Sequence, residues 1–254
     1  MLSGLVPGRA LAMIPNAFPR LATVVAAAVF RLRHASGLNW TGLGGASGSV
    51  PWNIVVLLSL LTLLPALLVA LTPFTRLLIV FHFLRQALGT QAAPSNQTLI
   101  GLALVLTYFL MQPVASSIYQ AAVVPFQRGQ VDGLEAVELG APPLRHFMLK
   151  YAREKDLALF LELAGAPRPA RADEVPMRVV VPAYILSELK TGFQIGVALF
   201  LPFLVIDLVV AAVTTSIGMM QLPPVIISTP LKILLFVMVD GWNLLVGSLM
   251  KSFA

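Results

Sequence analysis

Residues 53–72, NIVVLLSLLTLLPALLVALT, run for twenty positions without a charge. A helix rising about 1.5 Å per residue makes that run about 30 Å long, the thickness of bilayer hydrocarbon. A second uncharged run of the same length, QTLIGLALVLTYFLMQPVAS, covers about 97–116. Two more apolar stretches follow, at about 185–213 and 230–249. One soluble core of this size has no room for four such runs. Composition agrees: 58% of residues are hydrophobic and 11% charged, against about 25% charged in a soluble domain. The expected fold is an all-α membrane protein of about four long hydrophobic helices, arranged as two hairpins, with one helical extramembrane region.

Residues 1–52 read as a leader and linker. Leu21–Phe30 has the length of a signal-peptide core and is too short to span. Arg31 and Arg33 stand where a cleavage site should be, which makes the signal degenerate. Gly/Ser-rich 42–49 reads as flexible linker. The first hairpin is then 53–116, with Pro65 expected to kink its first helix and a further helix over 74–89. Residues 117–181 differ in kind, carrying eight basic and eight acidic side chains. Within them, 144–160 has the pattern of one amphipathic helix, with Lys150 and Glu154 at i, i+4 on a solvated face. The second hairpin is 182–254, its helices joined by a short loop at 218–228. The stretch 73–96 holds Arg76 and Arg85 and no acid, so the positive-inside rule places it in the cytoplasm and 117–181 outside.

The last two apolar segments carry Glu188, Lys190, Asp207, Lys232 and Asp240. Each would cost about 2.5–3.5 kcal/mol at a lipid-facing helix centre. Two uses compete: pairing between helices or subunits, with Glu188 or Asp207 facing Lys232, and a proton or ion relay. Alternation of acid and base within two short motifs favours pairing. On one continuous helix Lys232 and Asp240 would lie about 80° apart, so they need not share a partner. Gly192 and Gly196 form a GxxxG spacing that permits close helix approach. Beside buried charges it favours an assembled oligomer.

Catalytic and ligand-binding signatures are absent. No lysine follows a glycine in P-loop spacing, and there is no GxSxG and no HExxH. With no cysteine, and with His34, His82 and His146 scattered, no catalytic residues, metal site or cofactor are expected. The net charge of +6 flanks apolar runs and lies on no aromatic-interleaved soluble face, which argues against a nucleic-acid partner. Energy for transport would have to come from a partner or a gradient. An ion-coupled transporter should show internal symmetry between 53–116 and 185–249, and none is visible.

The stretches PAYILSELKTGFQIG (182–196) and PLKILLFVMVDGW (230–242) resemble the two signatures of the FliP family of flagellar type III export-gate proteins. So do FTRLLIVFHFLRQALGT (74–90), PSNQTLIGLAL (94–104), LRHFMLK (144–150), EVPMR (174–178) and the GMMQLPP loop (218–224). The resemblance covers about 50–254. It implies a pore-forming inner-membrane subunit of the flagellar basal body. Such a subunit assembles as a pentamer with FliQ and FliR subunits and other export-apparatus membrane proteins, and passes unfolded flagellar proteins. It also implies that the helices end in a helical, partly extramembrane assembly. Met219 and Met220 resemble the family's methionine gasket, with Gln221 standing where a third methionine is common. Methionine suits such a seal because it is unbranched and polarizable. The related injectisome proteins share both signatures; the long leader and the VDGWNLLVGSL ending favour the flagellar branch.

Overall fold

A computed structural model describes residues 52–90, 93–165, 169, 171, 174–218 and 223–253. These residues fold as an all-α protein. Leu57–Ala254 forms one compact unit, and the packing described below lies within it. The leader at 1–51 and the loop residues Met219, Met220 and Gln221 lie outside the described residues.

Helix α1, Trp52–Leu71, contains Pro65. A 72° bend at Thr72–Pro73 leads into α2, Phe74–Ala87. The bend exposes backbone groups that local hydroxyls satisfy. Thr75 Oγ1 donates to the Val69 carbonyl at 3.0 Å. Helix α3, Asn96–Ile118, starts at Ser95, whose side chain accepts the Thr98 N–H at 3.2 Å. It continues through a π-helical turn, Tyr119–Val123, into α4, Val124–Gln127, so the whole run spans Asn96–Gln127. The wide turn comes just before Pro125, which has no N–H to donate.

The single amphipathic helix expected over 144–160 is two helices. Helix α5, Gly133–Tyr151, is capped by Asp132, which accepts the Glu135 N–H at 2.8 Å. Helix α6 is Glu154–Leu163. The chain turns extended at Ala152 and Arg153, and the Arg153 backbone N–H donates to Ser187 Oγ at 2.9 Å. Lys150 and Glu154 therefore lie on different helices and do not form the expected i, i+4 pair.

Helix α7, Met177–Ser216, is forty residues long and passes through Pro182 and Pro202. Helices α8, Val225–Met238, and α9, Gly241–Lys251, meet at a 66° bend. The fourth segment was expected as one helix, and the correction has a local cause. Asp240 takes a left-handed backbone with φ of 52°, and a side chain at Gly241 would strike the Phe236 ring. Lys232 thus lies on α8 and Asp240 in the break that follows it. Among the described residues two helices are long and apolar enough to cross a membrane, or up to four if each bent pair is one span.

Helix α2 sits at the centre. Its stripe Leu77, Val80, Phe81, Leu84 and Ala87 is fully buried, at the i, i+3, i+4 spacing of one helix face. Leu99 and Ala103 of α3, Phe203 of α7, Phe236 of α8, and Leu245 and Leu249 of α9 complete this core. A second cluster joins α5, α6 and the start of α7 through Phe147, Met148, Leu161, Val180 and Tyr184.

Candidate functional site: ion pairs along one helix

Among the described residues three ion pairs form, and each uses a side chain of α7. Glu188 is 1% exposed. Its carboxylate is gripped by both sides of the Arg76 fork, with Arg76 Nε donating to Oε2 at 2.9 Å and Nη2 donating to Oε1. The third nitrogen, Nη1, donates to Ser252 Oγ at 3.2 Å. The Phe253 ring lies 3.9 Å from the guanidinium carbon, and the Tyr151 hydroxyl fixes that residue by donating to its carbonyl at 2.6 Å. Four parts of the chain thus meet on one charge pair.

Two residues on, Lys190 pairs with Asp156 of α6. Asp156 is 1% exposed and also accepts the Ser187 hydroxyl at 2.8 Å. Burial pushes its carboxyl up. Hydrogen bonds from Lys190 and Ser187, with the charges of Lys190 and Arg153, outweigh that and hold it below the usual carboxylate range. Arg153 in turn donates to Gln194 of α7. Further along, Asp207 accepts Lys232 Nζ at 2.5 Å and Ser228 Oγ at 2.7 Å, tying α7 to α8.

Of the two acids expected to face Lys232, Asp207 does so and Glu188 does not. Arg76 was missed because it was read as a topological charge at a helix end. It is 3% exposed and opens the buried stripe of α2. Its place three residues into an apolar helix, in register with Leu77 and Val80, was the available signal. Asp156, 1% exposed, lies within 144–160, the stretch whose amphipathic pattern predicts a solvated charged face, and nothing in that pattern singles it out.

The GxxxG pair is used within the chain. A Cβ at Gly192 would come 3.3 Å from Ile79, and one at Gly196 would come 2.5 Å from Phe83. Both glycines receive α2, so they carry no information about an oligomer, contrary to the expectation. Asp240 is exposed and accepts Asn243 Nδ2 at 3.1 Å, so it is not a buried charge within this chain.

These groups neutralise one another and lock helices together. Each acid of the three pairs already has its cation.

The family model described as "FliP family" matches residues 57–249. A protein named "Flagellar biosynthetic protein FliP" from Pectobacterium carotovorum subsp. carotovorum is 53% identical over 210 residues, covering 83% of this chain and 81% of the relative. The protein of the same name from Bacillus subtilis (strain 168) is 49% identical over 201 residues, covering 79% of this chain and 91% of the relative. One from Caulobacter vibrioides is 43% identical over 242 residues, covering 95% of this chain and 91% of the relative.

Proposed function

This chain belongs to the FliP family, and from that membership we propose that it is a pore-forming core subunit of the flagellar type III export gate. In this reading it passes unfolded flagellar subunits across the bacterial inner membrane. The observation that carries the reading is the family match over 57–249, which takes in every residue of the three ion pairs. The flagellar names of the relatives favour this branch over an injectisome.

The proposed assembly is a pentamer joined by FliQ and FliR subunits, with no catalytic step of its own. Residues 117–181 face outside the cytoplasm. Because Arg76 is neutralised by Glu188, the orientation rests, among the described residues of 73–96, on Arg85, whose side chain meets Asn96 and no acid. Large apolar side chains on α7 and α8 point outward, among them Leu208, Val213, Leu234 and Val237. They offer surface for lipid or for sister subunits. Met219 and Met220, with Gln221, form the gasket of the closed pore.

The test is complementation in flagellated cells lacking their own family member. Restored swimming and export of flagellar subunits into the medium are expected. Failure of both, with the chain present in the membrane, would reject the reading. Met219→Ala with Met220→Ala should let small ions leak through the assembled gate, and an unchanged leak would remove the gasket role.

A further inference from the structure

Of the three acids inside candidate spans, Glu188 and Asp207 are each held by a cation of this chain. Asp240 is not: among the described residues its side chain has only the Asn243 amide, at 3.1 Å. It stands at the 66° elbow between α8 and α9. Around it Val237, Met238, Val239, Trp242 and Leu244 are all exposed, Met238 to 76%. A carboxylate in such apolar surroundings is costly when it faces lipid. Asp240 precedes α9, but its side chain makes no capping hydrogen bond there. The dipole of an eleven-residue helix offsets only part of the cost.

We infer that this elbow is a docking site for an apolar helix of a different polypeptide that carries a lysine or arginine. The cation completes Asp240, and the surrounding apolar side chains pack on the helix that brings it. A second copy of this chain fits less well. Among the described residues, the cations placed away from the ends of its candidate spans are Arg76, Lys190 and Lys232, and each is already engaged with an acid of its own chain. The inference rests on the reading of this chain as an assembling membrane subunit and names the chemistry of one of its partners.

The test uses the full chain in its native membrane complex, with a photoreactive benzophenone side chain placed at Met238. After illumination, adducts are mapped by peptide mass spectrometry. The expected adduct is with another polypeptide, in an apolar segment holding Lys or Arg within about one helical turn of the labelled position. Asp240→Asn, which keeps a residue suited to the left-handed backbone, should cut adduct yield about tenfold or more, and Asp240→Glu should retain most of it. Adducts only to lipid or to a second copy, a partner segment without a cation, or equal yield in Asp240→Asn would overturn the inference. If Asp240→Asn fails to accumulate, the peptide captured by the unsubstituted chain decides. Native mass of the same complex separates the two readings. An intact assembly with lipid-only adducts sinks the docking site alone, whereas absence of any assembly sinks the proposed function as well.

Discussion

Arg76 and Glu188 lie 112 positions apart in sequence and share two hydrogen bonds in the protein's interior. A bidentate guanidinium–carboxylate pair fixes direction as well as distance. It therefore sets the rotation of α2 against α7, while Gly192 and Gly196 on α7 set how closely the two approach. Removing one partner strands the other charge without water. Glu188→Ala should destabilise the chain by about 3–5 kcal/mol. Arg76→Leu combined with Glu188→Leu should cost much less than the sum of the single changes. Reversible unfolding in detergent, read as a double-mutant cycle, checks this; additive losses would mean the pair is not coupled.

Gly196 tests the close approach itself. Its missing Cβ would fall 2.5 Å from the Phe83 ring, whereas that of Gly192 would fall 3.3 Å from Ile79. Gly196→Ala should cost about 1–3 kcal/mol as overpacking, and Gly192→Ala less, because a few tenths of an ångström suffice there. Adding Phe83→Leu to Gly196→Ala should recover part of the loss. Thermal unfolding of the three variants and the unsubstituted chain in one detergent gives the order, and a Gly192→Ala loss exceeding that of Gly196→Ala would contradict it.

Helix positions and apolar runs were legible because spanning helices need long uncharged sequence, and 53–72 and 97–116 announce it. The breaks were not. The α8–α9 elbow depends on a left-handed Asp240 and on the contact between Gly241 and Phe236, neither of which alters hydrophobic periodicity. The α5–α6 break depends on Ser187, thirty-four residues away, which receives the Arg153 N–H. Asp207 and Lys232 could be matched because they stand out inside apolar segments. Arg76 and Asp156 could not, since each sits where a charge is ordinarily solvated and only the tertiary packing buries it.

Asp156 makes a prediction about acid. Its folded carboxyl titrates below the ordinary value of 3.8. Between those two pH values the unfolded chain binds the proton and the folded chain does not. Its stabilising contribution is therefore present above the ordinary value and is lost as pH falls through the folded one. Ser187→Ala removes one of the bonds that hold the carboxyl down, so acid unfolding should begin at higher pH. Asp156→Asn should abolish this component of the pH dependence while lowering stability at neutral pH. Circular dichroism along an acid titration reads both, and superimposable curves for Ser187→Ala and the unsubstituted chain would refute the role.

The clasp over Arg76 can be taken apart one contact at a time. Phe253 gives the guanidinium a ring face at 3.9 Å, a contact worth about 0.5–2 kcal/mol. Tyr151 gives Phe253 a hydrogen bond at 2.6 Å, worth about 1 kcal/mol net. Both act on a pair that survives without them, because Glu188 still accepts two bonds from Arg76. Phe253→Ala and Tyr151→Phe should therefore each cost less than Glu188→Ala. Their effects should be non-additive, since the tyrosine holds the backbone of the residue whose ring does the covering. Deleting residues 252–254 should match or exceed Phe253→Ala, because the Ser252 hydroxyl leaves with it and Arg76 Nη1 loses its acceptor. Detergent unfolding of the single, double and truncated chains reads the series. A truncated chain as stable as the full one would show that the ion pair needs no cover from the C-terminal turn.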